Sequence, residues 1–322
     1  MREINYEEYL NYLETNKIVE IENEVIELNP IEIKYLEPQP TELTDVSTTV
    51  WSFPKRGAWG PHKGNYRGNW APQIPRALIN MYTKEGDLVL DPMVGGGTTL
   101  IEAKLLGRNA IGVDINYNAI ILTLHRLYYL EKALENMKKS SLSTFISGIE
   151  NTKLPENAWT KVYLGDARNL DLIEDNSIDL IATHPPYFNI IRYSKGKVEG
   201  DVSKTRKLEE YIENMKRIAQ EMYRVLKPNK YCAILIGDTR IHKHYVPISY
   251  HVLNAFLEAG FILKEEVIKI QHKMKTTREK WQKYKPNDFL LIYHEKLFIF
   301  RKPVDKKEYK KYKYSIGNHP PS

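Results

Sequence analysis

Between Leu88 and Leu106 the chain reads as a short apolar strand, a glycine turn and a helix, and this unit limits what it can fold into more than any other. Asp87-Leu88-Val89-Leu90 supplies the strand, Asp91-Pro92-Met93-Val94-Gly95-Gly96-Gly97 the turn, and Thr98 onward the helical pattern. Such a turn presents bare backbone N–H groups to a ligand. A second string, Thr183-His184-Pro185-Pro186-Tyr187, also ends an apolar run, Ile178-Asp179-Leu180-Ile181-Ala182. Open α/β sheets bind ligands at the carboxyl ends of their strands. The two strings therefore predict two walls of one cleft, one for a nucleotide-type cofactor and one for a planar substrate.

Strand and helix patterns alternate along the rest of the chain, which predicts a doubly wound, mostly parallel sheet. Seven strands are expected, at Leu88–Asp91, Ala110–Asp114, Lys161–Leu164, Ile178–Thr183, Cys232–Gly237, Ile262–Gln271 and Asp288–Arg301, the last two forming an antiparallel hairpin. Helices are expected at Ile74–Tyr82, Thr98–Leu106, Ala119–Lys138, Leu208–Leu226 and Tyr250–Ala259. Residues 1–48 read as a small acidic N-terminal appendage, 49–302 as the main domain and 303–322 as a mobile basic tail. The lone Cys232 excludes an intramolecular disulfide and a zinc site of paired cysteines, and the nine histidines show no ligand spacing, so no metal is expected. No apolar run nears 18 residues and the start is unlike a signal peptide, so the expectation is a soluble cytoplasmic protein with no membrane partner.

Asp91-Pro92-x-x-Gly95-x-Gly97-Thr98-Thr99 followed by x-Pro185-Pro186-Tyr187 resembles the amino-methyltransferases, which methylate the exocyclic amine of cytosine or adenine in DNA. The likeness runs from about Trp51 to Lys302, and Gly68-Asn69-Trp70-Ala71-Pro72-Gln73-Ile74-Pro75 brings it nearest the cytosine-N4 type. It implies a Rossmann-like methyltransferase fold, S-adenosyl-L-methionine as cofactor and double-stranded DNA as partner. It also implies a restriction-modification role with a cognate restriction endonuclease. Target recognition falls to short loops, the N-terminal segment or a partner chain, which makes a homodimer an expectation too.

The residues support a phosphate-free cofactor. A dinucleotide turn would read Gly-x-Gly-x-x-Gly; here Leu100 stands where its last glycine would be, Asp91 precedes the turn and Thr98-Thr99 follow it. An anion at Asp91 repels pyrophosphate and welcomes the ammonium and sulfonium of S-adenosylmethionine. Asp114 ends the second strand, where an acid can accept from ribose hydroxyls. The resemblance implies that Asp166 meets the adenine amine, that apolar neighbours such as Ile115 and Ala167 line its ring, and that Asn69 and Trp70 cover the methionine moiety.

A ring amine is a weak nucleophile, so an enzyme gains most by holding its hydrogens and aiming its lone pair. The carbonyl of Pro185 is the first candidate acceptor, Pro186 stiffens the turn, and Tyr187 offers a face for an extruded base. The family usually has Ser, Asp or Asn where this chain has His184. A neutral imidazole can accept one hydrogen bond, with activity then falling in mild acid; otherwise Thr183 or a backbone group is the acceptor. Gly237-Asp238-Thr239-Arg240 ends another strand, so that Asp238 can orient the substrate loop and Arg240 hold a phosphate.

Charge is uneven. Residues 1–45 carry three basic and twelve acidic side chains, and the whole chain is +6, so the remainder is strongly basic, as a phosphate-backbone partner requires. Arg192 to Lys207 holds six basic residues, and Gln271 to Lys285 holds six more, among them Lys273, Lys275 and Arg278, interleaved with Trp281 and Tyr284. Competing readings are adenine-N6 methylation, RNA guanine-N2 methylation, a nicotinamide-dependent dehydrogenase, and a non-catalytic DNA-binding protein that senses the cofactor.

Overall fold

The structure is a computed structural model describing residues 1–317 apart from 22–23, 44, 67, 146–157, 189–204, 206, 273–277, 280 and 283–287, and without the side chains of 138–145. In chain order the elements are β1 (Arg2–Glu3), α1 (Tyr6–Thr15), β2 (Ile18–Ile21), β3 (Glu24–Glu27), β4 (Val50–Ser52), α2 (Gln73–Tyr82), β5 (Leu88–Asp91), α3 (Thr98–Leu105) and β6 (Asn109–Asp114). Then follow α4 (Tyr117–Phe145), β7 (Thr160–Leu164), β8 (Ile178–Thr183), α5 (Leu208–Val225), β9 (Leu226–Ile236), β10 (Thr239–Ile241), β11 (His244–Val246), α6 (Ile248–Glu258), β12 (Ile262–Ile270), β13 (His294–Arg301) and α7 (Lys307–Lys311).

The seven expected strands form the centre of one sheet, in the order β7-β6-β5-β8-β9-β13-β12. β7 to β9 run parallel, and β13 is antiparallel to both of its neighbours. The sheet has nine strands rather than seven, because β1 pairs antiparallel with β7 and β4 pairs parallel with β12. Each short strand caps an edge that would otherwise expose unpaired backbone. The central strands are apolar on both faces, as helices on both sides demand; β8 is buried along its whole length.

The N-terminal residues are built into this body. Val19, Ile21 and Ile26 of the β2–β3 hairpin lie in the main core, and Tyr9 bonds His125 of α4 at 2.8 Å. Acidic side chains alternate here with buried apolar ones, so net charge concealed a period-two pattern. Past Lys302, α7 and its neighbours bond back to the body: Tyr309 to the Gly260 carbonyl at 2.7 Å, and Leu263 N–H to the Ser315 carbonyl at 2.8 Å. Pro228 falls near the start of β9, where the register against β8 shifts between Ile178 and Leu180 and Asn229 takes a positive φ of 63°.

Chain order reverses between β5 and β8: β5 leads outward to β6 and β7 on one side, β8 to β9 on the other. This is the switch point at which open α/β sheets hold ligands. Asp91 ends β5 and Thr183 ends β8, side by side.

Candidate active site

Asp91 joins the two motifs. Its carboxylate accepts from Thr183 Oγ1 at 2.7 Å, from Thr99 Oγ1 at 2.5 Å and from the Met93 N–H at 3.2 Å. The glycine turn, the first helical turn of α3 and the catalytic turn are thereby locked to one buried carboxylate. Burial raises its pKa to about 6, although the three hydrogen bonds favour the anion.

A cleft opens beside it, lined by Tyr66, Asn69, Trp70, Asp91 to Gly96, Asp114 to Asn116, Asp166, Ala167, His184 and Pro186, among others. Gly97 takes a left-handed φ of 81° to start α3, and a Cβ on Gly96 would collide with Arg126. Arg126 is buried behind the turn and donates to the Gly96 carbonyl at 2.5 Å. Asp114 accepts from the Gly95 N–H at 2.9 Å and the Asn116 N–H at 2.8 Å. Asp166 lines the cleft with its carboxylate held by Arg168, at 2.5 Å. Thr98 Oγ1 donates to Asn69, which ties the covering loop to α3. Of the expected cofactor residues, Asn69, Trp70, Asp91, Pro92, Gly95, Asp114, Ile115, Asp166 and Ala167 line the cleft, while Gly97, Thr98 and Thr99 stand behind it.

The catalytic turn forms the far wall. The His184 ring stacks on Trp70, with centroids 6.0 Å apart and planes 23° apart. His184 Nε2 lies 2.5 Å from the Tyr187 hydroxyl, which donates to Glu295 Oε1 at 2.6 Å. Tyr187 is 8% exposed, so it is a buried strut of the site rather than the free stacking face expected for it. A Cβ on Gly237 would sit 2.7 Å from Tyr187 Cε2. We therefore predict that Gly237→Ala displaces the catalytic turn and lowers kcat at least tenfold with cofactor affinity unchanged; unaltered kcat would show that the ring tolerates the methyl.

A second cavity meets the first at Gly68, Asn69, Trp70 and His184, and is lined further by Arg56, Tyr187, Lys269, Gln271 and Glu295. The Nε and Nη2 groups of Arg56 are out of solvent and have no hydrogen-bond partner, while Nη1 donates to the Trp70 carbonyl at 2.7 Å. Sequence reasoning did not single out Arg56, Lys269 or Glu295.

Other expected residues lie elsewhere. Asp238 accepts from the Ser249 N–H at 2.7 Å and Oγ at 2.8 Å, so it anchors the start of α6. Arg240 donates to the Leu290 and Lys243 carbonyls and lies over the Phe289 ring. Arg278 lies over Tyr293, and Trp281 donates to the Phe289 carbonyl at 3.1 Å. None of these four lines either cavity. Arg192, Lys273 and Lys275 fall outside the described residues.

A family model for DNA methylases matches residues 4–123 and 178–320. The chain belongs to the DNA methylase family. Among curated proteins it is 32% identical over 130 residues to a tRNA (guanine(10)-N2)-dimethyltransferase of Methanothermobacter thermautotrophicus, over 39% of this chain and 31% of that protein. It is 31% identical over 100 residues to the type II methyltransferase M2.MboI of Moraxella bovis, over 31% and 37% of the two chains. To the DNA adenine methyltransferase YhdJ of Escherichia coli it is 32% identical over 106 residues, over 32% and 36%. The matches thus span about a third of the length of these relatives. A solved S-adenosylmethionine-dependent methyltransferase from Methanosarcina mazei aligns over 71% of this chain and 98% of its own at 17% identity, with a TM-score of 0.43.

S-adenosylmethionine is the cofactor of this family, and the cleft suits it. Among its described lining residues are three carboxylates and an aromatic cover, and no lysine or arginine to hold a phosphate. Among the described residues no helix is long and apolar enough to cross a membrane, and no group of three or more His, Cys, Asp or Glu could hold a metal ion.

Proposed function

We propose that this chain methylates the exocyclic amine of a base turned out of duplex DNA, with cytosine N4 as target, and acts as the methylase of a restriction-modification pair. The reading is carried by one observation: the His184–Tyr187 turn separates a phosphate-free cofactor cleft from a second cavity, and His184 belongs to both. S-adenosylmethionine supplies a methyl group on a sulfonium. Asp91 and Asp114 hold the cofactor's cationic and hydroxyl groups, the Pro185 carbonyl and His184 accept from the amine, and Trp70 keeps water out. Positioning of this kind is worth about 7–11 kcal/mol where it is well oriented.

Arg56 supports a base that carries a carbonyl. Its Nε–Nη2 edge presents two parallel donors, which the O2 and N3 of cytosine match and adenine, with no carbonyl, does not. The basic body and its lysine-rich stretches suit DNA as partner.

Guanine N2 in tRNA is the second reading, favoured by the likeness to two tRNA (guanine(10)-N2)-dimethyltransferases, 32% and 30% identical over the matched segments. Guanine also carries a carbonyl. The decisive experiment supplies labelled S-adenosylmethionine with duplex DNA and with tRNA, then identifies the labelled nucleoside. 4-Methylcytosine is expected; 6-methyladenine would overturn the base, N2-methylguanosine would overturn the polymer as well, and no label anywhere would remove the activity.

A further inference from the structure

The Lys269–Glu295–Tyr187–His184 chain crosses three strands and is absent from the sequence motifs. Lys269 on β12 and Glu295 on β13 are paired residues in the antiparallel register, and their side chains meet at 2.7 Å through Glu295 Oε2. Glu295 Oε1 receives the Tyr187 hydroxyl at 2.6 Å, and the phenolic oxygen lies 2.5 Å from His184 Nε2. Tyr187 reaches β13 by passing the end of β9 at Gly237, where a Cβ would block its ring.

Proton counting gives this chain a direction. An ammonium only donates, an ionised carboxylate only accepts, and a phenol has one proton. Lys269 and burial-defying contacts keep Glu295 ionised: desolvation alone would raise its pKa, yet Lys269, His184 and Tyr187 hold it at about 2. The phenol proton therefore goes to Glu295, and the phenolic oxygen must accept from His184. That puts the imidazole proton on Nε2 and the lone pair on Nδ1.

We propose that Glu295 and Lys269 are positioning residues that act through Tyr187 to fix His184 as the Nε2–H tautomer, leaving Nδ1 as the acceptor for one N–H of the substrate amine. The proposal rests on the amine-methylation reading above. Nδ1 is out of solvent contact and has no hydrogen-bond partner in the protein. Buried acceptors are rarely left so, and an amine N–H entering from the shared wall of the two cavities satisfies it. The Gly68 backbone also lies near the ring and favours its protonated form; a proton drawn to Nδ1 on that account would leave Nε2 bare. That tautomer would set the phenol's single proton against two acceptors, Nε2 and Glu295, at 2.5 and 2.6 Å. When the amine's lone pair forms the N–C bond, the methyl's bond to the sulfonium would break, its electron pair staying on sulfur as a neutral thioether. The methylated nitrogen must then lose one proton; Nδ1 takes it, Glu295 faces the resulting imidazolium through Tyr187, and water removes the proton afterwards.

The test reads the tautomer without cofactor. Nitrogen-15 NMR of histidine-labelled protein, with the His184 signals assigned by their loss in His184→Asn, is expected to show Nε2–H. Glu295→Gln turns its amide carbonyl to Lys269 and its NH2 to Tyr187, which sends the phenol proton to Nε2. The His184 signal should then switch to Nδ1–H, with kcat lower by about 10²–10⁴-fold, the range that lost acceptors and wrong tautomers cost other enzymes, and cofactor Kd within twofold. Tyr187→Phe, nearly isosteric, severs the relay and should give mixed tautomers, a second readout if Glu295→Gln folds poorly. Nδ1–H in the wild type, or an unchanged tautomer in both variants, would overturn the relay while wild-type methylation still stood. A wild type that shows Nε2–H and methylates no nucleic acid would overturn the acceptor role together with the function.

Discussion

Glu102→Ala should lower stability by about 3–5 kcal/mol, the usual cost of breaking a buried ion pair by removing one partner. Glu102 is fully buried on α3, where it accepts from Trp59 Nε1 at 2.7 Å, pairs with His62 Nε2 at 2.5 Å and receives Arg76 Nη1 at 3.1 Å. Removing it leaves an indole N–H, an imidazole and a nearly buried guanidinium facing one another. Because a chain of this size loses roughly 1.5 °C per kcal/mol, a melt lowered by ~4–7 °C is expected. The effect should reach the active site. Trp59, His62 and Arg76 flank the loop bearing Asn69 and Trp70, so cofactor affinity should weaken in the same variant. A melt within 1–2 °C of wild type would mean that the cluster is worth no more than a surface pair.

The cofactor wall was legible because its chemistry is local. Asp91, the glycines and Thr99 lie within nine residues, and β5 and β8 fall at the expected residues because their apolar runs end abruptly. Asp114 and Asp166 could be placed for the same reason, as acids at strand ends. What escaped the sequence depends on register. Lys269 and Glu295 meet only because β12 and β13 align them, and each looks like an ordinary charge at a strand terminus. Glu102 was hidden inside a short helix that is buried nearly all round, so no polar face marked it. Arg168 lies two residues past Asp166, near enough to have been noticed as its partner. Asp238 and Arg240 misled for the converse reason: they stand at a strand's carboxyl end, but a local helix cap and a hairpin use up their hydrogen bonds. Strand-end position shows that a side chain can reach a cleft, and only its partners show whether it does.

His184→Ala should lower kcat by about 10²–10³-fold, the scale set by loss of one preorganised hydrogen-bonding group, and leave cofactor Kd within about twofold apart from the lost stacking on Trp70. The pH dependence separates this group from Asp91. Burial disfavours the imidazolium and lowers the His184 pKa to about 4, so the neutral acceptor survives the mild acid in which an exposed histidine would already be charged. Asp91 moves the other way, up to about 6. Cofactor affinity should therefore weaken as pH falls through about 6, where Asp91 takes a proton, whereas kcat at saturating cofactor should hold until pH nears 4. Stability has the opposite signs at the two sites. The neutral, half-buried His184, with its Nδ1 out of solvent, favours the fold above pH 6.5, an advantage lost at about 1.4 kcal/mol per pH unit as the unfolded chain protonates and the folded one does not. Asp91 offsets part of that loss, because its folded form takes up a proton at about pH 6, before the unfolded carboxylate does. Measured separately, kcat and Kd profiles sharing one midpoint near 6.5 would remove His184 from the role of buried acceptor, and a Kd independent of pH between 5 and 7 would remove Asp91 from contact with the cofactor's charge.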